Sequence, residues 1–213
     1  MSTITTQDIL AMFMAIADAI DANKDHLSAL DGVIGDGDHG VTMDIGFSAV
    51  RDALSRLDAQ ATEPSAVFNA AAKSFLNAVG ASSGPLYATA FMRAGAAVKG
   101  KPELDDKAMA EAFAAMAKGV QDRGKAERGD KTMIDAWLPA ADALNEAIEK
   151  GAGIAAALDA AARAAEKGAE ATKTMQASKG RASRLGERSL GHVDPGAAST
   201  ALIVGAIARS FAG

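Results

Sequence analysis

Apolar residues recur at three- and four-residue spacing along most of the chain, and that period predicts about eight helices and no strand pair. Ile9, Leu10, Phe13, Ile16, Ala17 and Ile20 form the first stripe, over about residues 6–23, opened by a capping box of Thr5 and Asp8. His26 and Leu27 lead into an acidic, glycine-rich loop. A second helix starts at Gly40 or Val41, with Ile45, Ala49, Leu54 and Leu57 on its inner side. Pro64 reads as the first-turn proline of a third helix with Val67, Phe68, Ala71, Phe75 and Leu76 buried, ending near Gly80. A small, polar segment, 80–87, precedes an alanine-rich helix to about Lys99. Met109, Phe113, Met116 and Val120 mark the next helix, and a polar loop spans 121–130. Helix resumes near Lys131 with Met133, Ile134, Trp137 and Leu138 inward, and Pro139 predicts a kink or an early break. Residues 154–175 read as a long alanine-rich helix, 178–188 as a glycine- and charge-rich connection, and a last helix runs to about Ala212.

Short connections favour antiparallel neighbours, hence an all-α, up-and-down bundle. If alternate connections share one end, residues 31–40, 80–87, 122–133 and 178–197 ring a single pocket. The 213 residues contain no Pro/Ser-rich or charged linker, so one domain over 1–213 is expected. Apolar residues make up 49 % of the chain and aromatics only 4 %, which suits helices packed closely on one another rather than a sheet. Met12, Met14, Met109 and Met116 read as core. The net charge of −5 argues against a nucleic-acid groove and an anionic membrane surface. The absence of cysteine removes disulfides, thiol nucleophiles and thiolate metal sites, and is compatible with a reducing cytoplasm. Neither a basic, apolar leader nor a membrane span is visible, so a soluble, cytoplasmic protein is expected.

Chemistry concentrates in 31–40, Asp-Gly-Val-Ile-Gly-Asp-Gly-Asp-His-Gly. Asp31, Asp36 and Asp38 repel one another unless cations lie between them, and oxygen-ligated Mg²⁺ is the natural candidate. Three motif readings fail. The G-x-G-x-x-G match over 35–40 lacks a preceding strand, and its aspartates would repel a pyrophosphate. Residues 124–132 resemble a P-loop but carry one extra residue before Lys131-Thr132 and also lack the strand, which leaves Lys131 solvent-facing or structural. An EF-hand counted from Asp36 needs Glu at its twelfth position, where Phe47 stands. Three carboxylates with two Mg²⁺ ions leave about +1, which attracts a polyphosphate. The start of the second helix, with its unpaired N–H groups, suits a phosphate. The Ser82-Ser83 turn fits an anion site and an ordinary cap equally well. His26 and His192 read as local structure.

Six segments, 31–40, Ala81-Ser-Ser-Gly-Pro-Leu86, Gly129-Asp-Lys-Thr-Met133, Gly180-Arg-Ala-Ser183, Leu185-Gly-Glu-Arg188 and Gly191-His-Val-Asp-Pro-Gly-Ala197, together resemble the nucleotide-binding L subunit of the dihydroxyacetone kinases. They are similar also to the C-terminal domain of single-chain kinases of that family. The resemblance covers nearly the whole chain in order. It implies a barrel of eight antiparallel helices with Mg-ADP or Mg-ATP at one rim. Asp31, Asp36 and Asp38 would hold two Mg²⁺ ions. His39, Gly40, Val41, Thr42, Ser82 and Ser83 would meet the phosphates, Gly124 and Met133 would line the adenine side, and Arg181 with Asp194, Pro195 and Gly196 would complete the pocket. Arg181 is the implied catalytic group, in competition with Arg184 and Arg188. The implied partner is a K subunit that holds the ketose covalently on its own histidine, so this chain would be half an enzyme. Either ATP or a phosphocarrier M-type subunit acting on bound ADP could supply the phosphoryl group. A kinase subunit for another ketose such as a tetrulose, and an ADP-loaded adaptor of a transcriptional regulator, are the rival expectations.

Overall fold

In the computed structural model, which describes residues 3–212, the chain is built from helices. The order is α1 (Thr6–Ile34), α2 (His39–Leu54), α3 (Pro64–Ala78), α4 (Ser83–Ala97), α5 (Asp106–Gly124), α6 (Ile134–Glu149), α7 (Ile154–Ala171) and α8 (Pro195–Ser210). Two 3-10 segments, Thr172–Thr174 and Ala182–Ser189, lie between α7 and α8. Among the described residues there is no strand. One isolated antiparallel bridge joins Ile4 and Leu104 through reciprocal backbone bonds of 2.8 Å. Each helix packs on its successor, and α8 packs on α1. The all-α, antiparallel, up-and-down arrangement expected from the short connections therefore closes into a barrel.

The interior divides in character. Phe13, Phe47, Phe68, Phe75, Tyr87 and Phe91, all from α1–α4, meet mostly edge to face, with Phe47 and Phe75 centred 5.1 Å apart. Such offset contacts set the electropositive ring edge on the neighbouring π face. On the other side, Phe113 and Trp137 form a single aromatic pair, and buried Ala157, Ala161 and Ala165 let α7 approach its neighbours closely. No helix among the described residues is long and apolar enough to cross a membrane.

The elements differ from the expectation in four places. Helix α1 does not stop near residue 23. It runs on to Ile34, because no Gly or Pro interrupts residues 21–31 and Leu27, Asp31 and Ile34 continue the buried stripe. Asp31 therefore stands on a helix, not in a loop. Helix α5 likewise extends to Gly124, three residues past the expected start of the polar loop, and ends at Lys125 in the left-handed conformation. Ile45 and Leu76, expected inside, are exposed at 50 % and 46 %; the inner face of α2 is Met43, Phe47, Val50 and Leu54.

Finally, Pro139 does not break α6, which continues unbroken to Glu149. Proline lacks the N–H that would bond the carbonyl four residues back, here that of Asp135. Gly168 of α7 packs against that same oxygen, where a Cβ would come within 2.1 Å of it. The defect is confined to one carbonyl covered by the neighbouring helix.

Candidate functional site

Because the helices alternate in direction, the C-terminal ends of α1, α3, α5 and α7 and the N-terminal ends of α2, α4, α6 and α8 share one rim. A cleft of about 740 Å³ opens there. It is lined by residues from 31–42, 80–86, 120–134, 179–182 and 194–196, which unites the four connections that the sequence places around one pocket.

The acidic side of the cleft is built at the α1–α2 junction. The Gly35 N–H bonds the Asp31 carbonyl at 2.6 Å, and a Cβ on Gly35 would lie 2.1 Å from Asp31 Oδ1, so only glycine lets the chain fold back over that carboxylate. Gly37, at φ +78°, completes the reversal and returns Asp38 to the same point. One carboxylate oxygen each of Asp31, Asp36 and Asp38 lie within 4.8 Å of one another. Asp31 is buried and accepts the His39 N–H at 3.2 Å, whereas Asp36 and Asp38 are exposed. Arg181 reaches across from the 3-10 connection, forms an ion pair with Asp36 and stands 3.7 Å from Asp38. Three acceptor-only groups converging at a helix end are a donor set for a hard divalent cation.

Opposite charge preference arises from the helix starts. α2, α4 and α6 begin at this rim with no capping bond from Asp38, Ser82 or Met133 themselves, although the Asp31 carboxylate takes the first N–H of α2 and the Thr132 hydroxyl, at 3.2 Å, the first N–H of α6. The positive ends of their dipoles favour an anion beside the carboxylates. Thr42, Ser82 and Ser83 line this part of the cleft, as does His39. His39 Nε2 lies 2.9 Å from Ser199 Oγ on α8, and burial pushes its pKa down despite the Asp31 carboxylate, which favours the neutral ring. Gly40 and Val41 do not line the cleft. Gly40 lets α2 cross α1, since a Cβ there would meet the Lys24 carbonyl oxygen at 1.8 Å, and Val41 points outward with 51 % of its surface exposed.

The remaining wall is apolar and then polar. Leu86, Val120, Gly124, Ala126, Met133 and Ile134 form an uncharged face suited to a flat ring. Asp194, Pro195 and Gly196 start α8, whose cap is the Asp194 carboxylate accepting the Ala197 N–H at 2.8 Å. Burial pushes Asp194 up to about 7, against the pull of that N–H and of Lys131. Lys131 also lines the cleft and is buried, not solvent-facing. Its lysine code in a glycine- and aspartate-rich turn carries no period that marks it as interior. His26 and His192 lie outside the cleft, in a separate recess between α1, α7 and α8.

The chain is similar to known proteins over most of its length. The DAK2 domain family matches residues 33–209. The ADP-binding subunit DhaL of the PEP-dependent dihydroxyacetone kinase of Escherichia coli (strain K12) is 40 % identical over 182 residues, covering 85 % of this chain and 86 % of that one. An L-erythrulose 1-kinase of Mycolicibacterium smegmatis is 36 % identical over 205 residues, which cover 94 % of this chain and 35 % of the relative. Among solved structures, the native dihydroxyacetone kinase of C. freundii superposes with a TM-score of 0.73 at 28 % identity, over 95 % of this chain and 34 % of that one.

Proposed function

The chain belongs to the DAK2 domain family, and from that premise we propose that it is the nucleotide-binding, phosphoryl-transferring subunit of a dihydroxyacetone kinase. It holds Mg-ADP or Mg-ATP in the rim cleft and passes phosphate to dihydroxyacetone carried by a separate K subunit, with a phosphocarrier M-type subunit as a possible recharging partner. The observation that carries this reading is the meeting, in one cleft, of three convergent carboxylates with three helix starts. Carboxylates alone would bind a cation, and helix starts alone an anion. Side by side they suit a metal-bound phosphate chain.

In this reading Asp31, Asp36 and Asp38 hold two Mg²⁺ ions. When bound, the metal neutralises the charge of the phosphates and of the group in transfer. The chain's own residues orient the nucleotide. Ser82, Ser83, Thr42 and the N–H groups at the starts of α2 and α4 take the phosphates. Gly124 and Met133 border the base. The Asp194–Gly196 turn closes the far side. His39, bonded to α8 through Ser199, fixes the position of α2 against α8. Arg181 bears a permanent charge at the mouth of the acidic cluster, where it meets a transferring phosphoryl group without needing to change protonation. Mixing the chain with a K subunit, Mg²⁺, ATP and dihydroxyacetone tests the proposal directly. Sugar-dependent ADP release is expected with ATP as donor. Turnover only when a phosphocarrier is added indicates rephosphorylation of bound ADP, and no turnover under either condition would remove the kinase reading.

A second substrate reading has its own support. The match to an L-erythrulose 1-kinase spans nearly this whole chain, so a four-carbon ketose on the K subunit is the alternative acceptor. Swapping the K subunit while keeping this chain constant discriminates the two, since the ketose is chosen there.

A further inference from the structure

Lys131 is the only lysine or arginine that is buried among the described residues, with 1 % of its surface exposed. Nothing in the phosphoryl-transfer reading uses it. Its backbone is left-handed, at φ +59°, a conformation that a residue with a Cβ keeps only where its surroundings hold it. The side chain supplies that hold. Nζ donates to the Thr172 carbonyl at 2.6 Å and to the His192 carbonyl at 2.5 Å. The carboxylates of Asp194 and Asp135 provide the negative charge around it.

These partners are not scattered. Thr172 and His192 bracket the connection that carries Arg181, and the Thr172 hydroxyl accepts the Asp194 N–H at 2.9 Å, which ties one end of that connection to the other. Asp135 accepts the N–H groups of Gly129 at 2.6 Å and Thr132 at 2.9 Å, holding the turn on which Lys131 stands. Ser178, midway, bonds the Asp130 carbonyl and carboxylate. The 129–135 turn and the 172–194 connection therefore converge on one ammonium. A buried cation costs desolvation, and it is retained only where its donors and charge are satisfied.

We infer that Lys131 is a positioning residue of the cleft: its ammonium clamps both ends of the 172–194 connection to the 129–135 turn and so sets where Arg181 and the Asp194–Gly196 turn stand relative to the acidic cluster. The consequence for nucleotide rests on the function proposed above; the clamp itself does not. Lys131→Met keeps the aliphatic volume and removes the donors.

Two readouts on the full chain separate these. Amide hydrogen exchange without ligand should quicken at least about tenfold across 173–197 in Lys131→Met, with α1 and α2 unchanged. The dissociation constant for Mg-ADP should rise at least about tenfold, the scale on which loss of an outer supporting group acts. Leu10→Ala, a core truncation away from the cleft, should destabilise the fold while leaving both readouts within about twofold of wild type. Wild-type exchange across 173–197 in Lys131→Met would overturn the clamp. Faster exchange with an unchanged dissociation constant, or equal losses in Leu10→Ala, would overturn its role at the cleft. If the wild-type chain binds no Mg-ADP, the nucleotide reading fails and hydrogen exchange still decides the clamp. Should Lys131→Met not fold, Lys131→Gln, which retains donors, takes its place and is expected to give smaller changes of the same sign; wild-type behaviour there would count equally against the clamp.

Discussion

The rim that carries the cleft holds two sets of aspartates with different fates. Asp31, Asp36 and Asp38 point their oxygens at a common space, and among the described residues the only side-chain cation paired with the set is Arg181, reaching in from a glycine-rich connection. Asp135 and Asp194 are buried against Lys131, and their oxygens are already committed to the N–H groups of Gly129, Thr132 and Ala197. The residue type is the same. What differs is how the carboxylate is used: Asp135 gives both oxygens to backbone N–H groups and Asp194 caps α8 beside a buried ammonium, whereas Asp31 gives one oxygen to the His39 N–H and still converges with Asp36 and Asp38 on a common space. The first pair is architecture, and the convergent set is available to a ligand.

Substitutions on each side should therefore fail differently. The largest effect is expected from Arg181→Ala, which should lower turnover roughly 10³-fold, the lower end for a charge-stabilising arginine in phosphoryl transfer. Its thermal midpoint should hardly move, since its ion pairs are solvent-exposed. A variant with near-normal turnover would return the role to Arg184 or Arg188. Asp31→Asn or Asp36→Asn should weaken Mg²⁺-dependent nucleotide binding by roughly 100-fold or more, since even outer supporting groups of a metal cost up to that much. Titration calorimetry with helix content checked by circular dichroism measures it, and unaltered affinity would sink the metal assignment.

On the architectural side the order reverses. Asp135→Ala strands two backbone N–H groups next to a buried ammonium and should cost about 2–4 kcal/mol of stability, read from urea unfolding. A loss no larger than that of a surface substitution would blur the distinction between the two sets. The smallest expected effect is a slope in pH. The folded chain holds the Asp194 proton up to about 7, against about 3.9 for an unfolded aspartate, so it binds that proton more tightly than the unfolded chain. Stability from this group is greatest at acid pH and is lost as pH rises through about 7. His39, lowered by burial, acts in the opposite sense below its ordinary value. Above about pH 6.5, where His39 no longer opposes it, Asp194 should dominate: stability should fall as pH rises to about 7 and then level off, and Asp194→Asn should flatten the profile.

Much of this was legible in the sequence because helix periodicity survives wherever an inner stripe is long. The stripes of α1, α3 and α5 were visible, as was the unusual density of carboxylates in 31–40. A polar stretch inside a helix reads as a loop. Residues 21–26, exposed or half-buried all round the helix between Ile20 and Leu27, interrupt the inner stripe of α1 without ending the helix. Ile45 and Leu76 show the converse, since an apolar residue adjoining a stripe need not belong to it. At Gly40 the motif shows nothing of a second demand, that only a residue without a Cβ lets α2 cross α1 there. Lys131 was illegible for a deeper reason. Its burial depends on carbonyl acceptors contributed from residues 172 and 192, and no local pattern reports a partner so distant.

The ring of eight helices has a further consequence through parity. An even number of antiparallel elements that closes on itself must return the end of the last to the side where the first began. The start of α1 and the end of α8 accordingly lie together at the rim away from the cleft, beside the Ile4–Leu104 bridge. The barrel is thus suited to circular permutation: joining those ends and opening the chain at Gly151, in the α6–α7 turn of that same rim, would reorder the sequence without crossing the cleft.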